Sequence, residues 1–554
     1  MRARKVFMDS LVAHGVERIF GNPGTTESPL LDSLAAYPQL GYVTVLQESV
    51  ALCAASYYAQ ATGKTGVVSL HVAPGLGNAL GMLYCAMRAN SPLVVTAGQQ
   101  DTRLRLADPV LGHDLVAMAA PLVKWSVEVA RGDEMGPILA RAFKVAHDGP
   151  PGPVFVALPI DVMEQETQIA ATTAGPVRDK PLAARRALER IAGLLASAQA
   201  PAIVAGDDVA RAGAVAALRD LAEVVGATVW GESLHMHTAF PTADPHFRGG
   251  LPLEAQGIRK MLGETDVVLL VGGPFFEDVW YAPGGPFPKG ARIAQLEETP
   301  QRLAYNHALA AGAVGDLAEA IGALVPMVQA KGGAGLPSAA AKRKASLAAL
   351  KERETAAQRE RAEKAWSRIP ISMPRVMAEL SAAAPPDAVV VEESITASID
   401  FARTFAFSEP GRYFGARGGG IGQGLSGAVG VAIGKPGVPV LCISGDGSAM
   451  YSIQALWTAA HLGLPIVFVI LANREYRVLK HNIDVYRQRF GIASQEPYAH
   501  MDLTRPPLGF VEMAAGMGVA ATRLSDPAAI GPVVAAAFKS RKPYLVEIAI
   551  EGKR

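Results

Sequence analysis

The stretch 438–480 constrains the fold more than any other part of the chain. It opens with a β-rich apolar run, 438–443, and turns at Ser444-Gly445-Asp446-Gly447-Ser448. The spacing predicts a helix from there to about His461, stopped by Gly463-Leu464-Pro465. A second apolar run, 466–471, then leads into Ala472-Asn473-Arg474-Glu475. Two such strands side by side and parallel bring both turns to one edge of a sheet, where α/β folds bind ligands. Asp446 and Asn473, 27 positions apart, then offer oxygens to one point, and Glu475 can add a backbone carbonyl. A few hard oxygen ligands, with room left for phosphate oxygens, describe a Mg²⁺ site that holds a diphosphate. Gly445 and Gly447 let the backbone approach the phosphates, and the helix start at Asp446–Ser448 offers them N–H groups.

A chain of 554 residues, half of them apolar, makes several domains that each bury a core. Its 52 basic and 51 acidic residues leave a net charge of +1, which gives no footprint for nucleic acid. Cys53, Cys85 and Cys442 stand in unrelated apolar contexts and form neither a metal cluster nor a disulfide framework, as expected of a reducing compartment. The basic N-terminus is amphipathic and lacks the apolar core of a signal peptide. No run reaches the roughly 18 apolar residues of a membrane span. The expectation is a cytoplasmic protein with no membrane partner.

Strands and helices alternate over residues 1–165. Short strands at 18–20, 42–46, 66–70, 91–97 and 154–158 are separated by helices such as 5–14 and 48–61, the pattern of a parallel sheet covered on both faces. Residues 163–183 are polar and contain Pro and Thr, and read as a linker. A second α/β unit covers 184–330, with strands at 202–205 and 267–271 and no GxGxxG turn to bind a dinucleotide. Residues 349–366 predict an exposed, charge-paired helix. A third domain spans 370–554. The expected fold is therefore α/β, with three doubly wound parallel-sheet domains.

The stretches FGNPGTTE (20–27), LQES (46–49), LHVAPGLGNALG (70–81), SPLVVTAGQQ (91–100), PLVKWS (121–126), the GGGIG loop (418–422) and GDGSAMYSIQALWTAA resemble thiamine-diphosphate-dependent 2-oxo-acid enzymes along essentially the whole chain. The benzoylformate decarboxylases are the closest likeness and the acetolactate synthases a more distant one. The resemblance implies thiamine diphosphate and Mg²⁺ as cofactors. It makes the domains aminopyrimidine-binding (1–165), middle (184–330) and diphosphate- and Mg-binding (370–554). It makes Glu48 the carboxyl group that hydrogen-bonds the aminopyrimidine ring, and His71 the proton-handling residue over the reacting carbon. Thr25 corresponds to a serine that binds the substrate carboxylate, though it could equally cap a helix. Asn22, Pro23 and Gly24 border the cofactor. Ile421, beside Gly419, is the apolar wedge that bends the cofactor, a proximity device. Ile395, Thr396, Gly445, Asp446, Gly447, Ser448, Asn473 and Tyr476 fall on the diphosphate side, with Asp446, Asn473 and the Glu475 carbonyl on the metal.

Two positions depart from the family pattern. The signature usually ends Asn-Asn, and here the first is Ala472. A middle-domain loop that carries a second active-site histidine has Val279 in that place. The implied activity is non-oxidative decarboxylation of a small 2-oxo acid. One alternative is carboligation to an aldehyde acceptor, as in acetolactate synthases; another is a non-catalytic regulatory relative, against which intact Glu48, Asp446 and Asn473 argue. The family pairs the first domain of one subunit with the third of another, which implies a homodimer or homotetramer.

Overall fold

A computed structural model describes residues 1–175 and 180–552. The chain forms two compact units. One comprises Met1–Val177, Ser367–Asp400 and Ala416–Arg554, and the other comprises Arg178–Trp366 and Phe401–Gly415.

The first sheet contains β1 (Arg18–Gly21), β2 (Gly41–Thr44), β3 (Gly66–Leu70), β4 (Leu93–Gln99), β5 (Ser126–Glu128) and β6 (Val154–Pro159), in the order β2-β1-β3-β4-β6-β5 with every pair parallel. β3, β4 and β6 are buried along their whole length, as the unbroken apolar runs of a two-side-covered parallel sheet require. Because the strands are parallel, the turns after β1, β2 and β3 emerge at one edge. These are Asn22-Pro23-Gly24, the entry to Glu48, and His71.

The second unit carries β7 (Pro201–Ala205), β8 (Thr228–Gly231), β9 (Phe247–Gly250), β10 (Val267–Val271), β11 (Arg292–Glu297) and β12 (Ala311–Val314), in the parallel order β12-β11-β10-β7-β8-β9. Its carboxyl edge is filled by the protein's own charges. Asp207 accepts the Met236 and His237 N–H groups, Asp208 pairs with Arg302 and Arg211, and Glu297 accepts from Gly273 N–H and Gln295.

The third sheet belongs to the first unit through β13 (Val389–Glu393). The short strand β14 (Tyr413–Phe414) lies in the segment assigned to the second unit, where Gly415 N–H bonds to Met236 O and Phe407 N–H to Thr242. The sheet continues through β15 (Val440–Gly445), β16 (Ile466–Ala472), β17 (Ala520–Leu524) and β18 (Tyr544–Ala549), with parallel pairs β13–β15, β15–β16, β16–β18 and β18–β17. Gly445 stands level with Leu471 across β15 and β16. Asp446 and Asn473 therefore leave the same edge, as the spacing predicts.

Within the first unit, the helix Glu48–Thr62 packs along the helix Gln423–Gly434 over a stripe of glycines. A Cβ at Gly430 would lie 2.1 Å from Ala54 O, one at Gly427 would lie 2.7 Å from the Tyr57 ring, and one at Gly434 would lie 2.8 Å from Thr62 Cγ2. Residues 423–432 are all buried, as expected of a helix that is apolar on every face.

Three expectations change. The predicted helix from the Gly-Asp-Gly turn to His461 is two pieces, Asp446–Ala449 and Ala455–Leu462. Between them Tyr451 and Ser452 N–H bond three residues back, to Ser448 O and Ala449 O, and this tighter winding breaks the helix. The 163–183 linker is in part not free. Thr167 is buried, takes the Met1 amine on its carbonyl and bonds to Asp133, so this end packs on the first domain; residues 176–179 lie outside the described residues. The exposed helix begins earlier, at Leu336, and runs to Lys364. Its first half is held by Arg343, which donates to Val225 O and Ala198 O. Among the described residues no helix is long and apolar enough to cross a membrane, and Cys53, Cys85 and Cys442 are free and buried.

The glycine seam yields a prediction. Helix propensity alone favours Ala over Gly by about 1 kcal/mol. At Gly430 the close approach should outweigh this gain, so Gly430→Ala should lose roughly 1–3 kcal/mol, seen as a lower thermal midpoint. A midpoint at or above that of the wild type would mean the seam is looser than described.

Candidate active site

The first half of the site is assembled at the carboxyl edge of the first sheet. Glu48 opens its helix one residue after Gln47, whose side chain caps the Ser49 and Val50 N–H groups. The Glu48 carboxylate is nearly buried. It accepts from Asn78 Nδ2 at 3.0 Å and, at the outer limit of a hydrogen bond, from Asn22 Nδ2 at 3.5 Å.

His71 follows β3 and precedes the helix Val72–Arg88. Its Nδ1 lies 2.9 Å from Glu27 Oε2 and 3.2 Å from Thr26 Oγ1. Glu27 is buried and accepts on Oε1 from Gly98 N–H at 3.0 Å and Thr26 Oγ1 at 2.7 Å. A carboxylate only accepts, so Nδ1–H is the donor to Glu27, and Nε2 is the nitrogen left to take or give a proton. A Cβ at Gly75 would stand 3.5 Å from both Glu48 Oε1 and His71 Cβ, so the two side chains flank one glycine. Gly24 is glycine for clearance, because a Cβ there would lie 2.1 Å from His71 Nδ1. Val72, beside His71, holds φ +41°, an outlier for a β-branched residue.

Thr25 is exposed, and its carbonyl accepts from Ser28 Oγ. It does not cap a helix: the 3₁₀ turn Thr25–Glu27 is entered through Gly24 with no side-chain cap. Pro23 is exposed beside it.

The second half lies at the carboxyl edge of the third sheet. Asp446 is 4% exposed and accepts Gly447 N–H at 2.8 Å and Arg474 N–H at 2.6 Å. Burial nevertheless pushes its carboxyl up to about 6, against the pull of those N–H groups. A buried carboxylate in that state, with no ion pair to a cationic side chain among the described residues, favours an added cation. Asn473 is half-buried, its Oδ1 accepting Glu475 N–H at 3.0 Å. Backbone bonds here run from Tyr476 N–H to Met501 O and from Leu503 N–H to Arg474 O, and so bypass the Glu475 carbonyl. The Glu475 carboxylate pairs instead with Lys480. A Cβ at Gly445 would meet nothing within 4 Å, whereas one at Gly447 would strike the Tyr476 ring at 2.6 Å. Ser448 is buried, and Ile395 (φ +53°) and Thr396 are exposed just past β13. Gly419 is exposed and Ile421 half-buried in the loop that opens the helix Gln423–Gly434. Among the described residues no three His, Cys, Asp or Glu side chains form a metal cluster. The donor set of Asp446, Asn473 and the Glu475 carbonyl fits a hard cation completed by phosphate oxygens.

The described hydrogen bonds of Glu48 and His71 stay within the first domain, and those of Asp446 and Asn473 within the third. Val279 is 59% exposed on a loop of the second unit, its N–H bonded to Leu253 O.

Sequence reasoning missed Glu27, Asn78 and Glu393. Asn78 had a signal, since His71, Gly75 and Asn78 fall at i, i+4 and i+7 on one helix face. Glu27 and Glu393 had none, because an acidic residue in or beside a turn reads as solvated until its burial is known.

Residues 1–118 match the thiamine pyrophosphate enzyme N-terminal TPP binding domain, 188–324 the central domain and 396–548 the C-terminal TPP binding domain. The chain is 32% identical to a benzoylformate decarboxylase of Pseudomonas aeruginosa, over 97% of this chain and 96% of that one. It is 28% identical to an acetolactate synthase large subunit of Parasynechococcus marenigrum, over 98% and 86%. The solved thiamine diphosphate-dependent 4-hydroxybenzoylformate decarboxylase of Rhodococcus jostii RHA1 superposes with a TM-score of 0.87 at 29% identity, covering 100% of both chains.

Gly24→Ala tests the first half-site. The added methyl should drive the His71 ring off Glu27 and lower kcat/KM by about a hundredfold, with the thermal midpoint nearly unchanged because the turn is partly exposed. Full activity in the folded variant would show that the His71–Glu27 contact is not used.

Proposed function

Because the chain belongs to the thiamine pyrophosphate enzymes, we propose that it decarboxylates a 2-oxo acid without oxidation, in the manner of the benzoylformate decarboxylases, with Mg²⁺ as its metal. One observation carries this reading: Glu48, held by Asn78, and His71, held by Glu27, flank Gly75 at one sheet edge. When bound, thiamine diphosphate would supply a nucleophilic thiazolium carbon and, in its cationic ring, the electron sink that decarboxylation needs.

The protein's residues would do the rest. Asp446, Asn473 and the Glu475 carbonyl would hold Mg²⁺ and through it the diphosphate. Gly445, Gly447 and Ser448 line the approach, with Ile395, Thr396 and Tyr476 around it. Ile421 would hold the bend of the cofactor. Glu48 would exchange a proton with the aminopyrimidine. Thr25 would meet the substrate carboxylate with its exposed hydroxyl, and Asn22, Pro23 and Gly24 form the wall. His71 Nε2 would deliver or remove the proton at the reacting carbon. A second copy of the chain, in a homodimer or homotetramer, would bring a first domain to a third, and a solution mass at a multiple of 57.9 kDa is expected.

The carboligating alternative is favoured by Val279. With no histidine there, proton delivery to the product is slower and an aldehyde acceptor competes better. An aromatic or branched 2-oxo acid should be turned over with acyloin appearing as acceptor aldehyde is added, and Val279→His should shift product toward free aldehyde. Chromatography of a 2-oxo-acid panel with and without acceptor decides. No turnover of any 2-oxo acid would remove the decarboxylase reading; clean aldehyde release at high acceptor would remove the role given to Val279.

The metal has its own test. Chelation should weaken thiamine diphosphate binding by at least about tenfold, and Asp446→Ala should not retain the cofactor. Calorimetry with unchanged affinity after thorough chelation would contradict the site.

A further inference from the structure

We propose that Glu393 is a positioning residue for the cofactor: its buried carboxylate grips three consecutive backbone N–H groups and so fixes the Gly418–Gly422 loop that carries Ile421. This rests on the reading of that loop as the cofactor loop. Glu393 ends β13 and is 2% exposed. Its Oε1 accepts Gly422 N–H at 2.8 Å and Gln423 N–H at 3.0 Å, and its Oε2 accepts Gly424 N–H at 2.8 Å. These belong to the N-terminal cap and first turn of the helix Gln423–Gly434, N–H groups that no carbonyl within the helix can satisfy.

The contact is built for a carboxylate. A Cβ at Gly424 would stand 3.1 Å from both Glu393 Oε2 and Cβ, so glycine is what lets the acid approach. Gln423 locks the loop from the other side, its Nε2 donating to Arg417 O and Gly420 O at 2.9 and 2.6 Å. Gly418, Gly419 and Gly422 all have positive φ, so the loop shape is one that other residues hold with strain. Ile421 lies between two clamped residues, Gly420 and Gly422, and its direction follows from theirs.

Only the ionised carboxylate can accept all three bonds. A proton is best accommodated on Oε2, where it displaces the single bond to Gly424 rather than the two on Oε1. Among the described residues, the titratable groups within electrostatic reach of Glu393 are Glu392 beside it on β13, Cys442 on β15, Cys53 on the helix Glu48–Thr62 and Cys85 on the helix Val72–Arg88. Burial raises all three thiols and keeps them protonated. Burial also pushes the Glu393 carboxyl up to about 7, against the pull of the three N–H groups. The three N–H groups oppose that cost of burial and favour the charged form, so the charge and the grip depend on each other.

The test uses the full-length protein. In cofactor-free protein at about pH 8, hydrogen exchange of a peptide spanning 418–425 should be faster in Glu393→Gln than in wild type, while that of a peptide spanning 426–434 is unchanged. Glu393→Gln should also raise the dissociation constant for thiamine diphosphate with Mg²⁺ by at least about tenfold. Glu393→Asp, which keeps the charge on a shorter arm, should fall between. A folded Glu393→Gln protein with wild-type affinity and protection would overturn the proposal. If that variant does not fold, a Glu393→Asp protein with wild-type affinity and protection overturns it equally. Wild-type protein that does not bind thiamine diphosphate at all would instead overturn the cofactor reading, and this role with it.

Discussion

The contact on which the rest of the first unit depends is the close approach of the helices Glu48–Thr62 and Gln423–Gly434. Glycines at 427, 430 and 434 bring one backbone against the other with no room for a Cβ. Both helices begin at positions proposed for the site. One starts with Glu48 itself, and the other starts two residues after Ile421. The seam therefore sets the spacing of two elements more than 360 residues apart in sequence, and each parallel sheet then carries its remaining site residues to its own carboxyl edge.

At both edges, acids are taken out of water and provided with donors. Glu48 has amide side chains, Glu27 has a backbone N–H and the His71 ring, Glu393 has three backbone N–H groups, and Asp446 has two. A buried carboxylate so supplied is oriented, and an oriented acid is what proton transfer and metal binding need. Burial keeps both Asp446 and Glu393 raised despite their donors, to about 6 and about 7, and Asp446 is the one proposed as a metal ligand.

Much of this was legible in the sequence, for physical reasons. Strand runs buried on both faces are long apolar words, so β15 and β16 and the turns after them could be placed from 438–480 alone, and the fold class with them. The break at 450–454 was not legible, because tight winding and α-helix share the same apolar spacing. The partners of the acids were legible only where a helix face lined them up, as with His71, Gly75 and Asn78. Glu27 and Glu393 are invisible without burial. The return of residues 401–415 to the second unit was hidden as well, since an aromatic-rich segment, with Phe401, Phe405, Phe407 and Tyr413 in mutual contact, packs as well on one domain as on another.

The central claim is that Glu48 works on the cofactor's proton chemistry rather than merely opening a helix. Exchange of the thiazolium C2 proton of bound thiamine diphosphate, followed by acid quench and NMR, measures this without reference to any substrate. Glu48→Gln should fold and bind the cofactor, yet exchange that proton at least about a hundredfold more slowly than wild type. Exchange at the wild-type rate in the loaded variant would contradict the account.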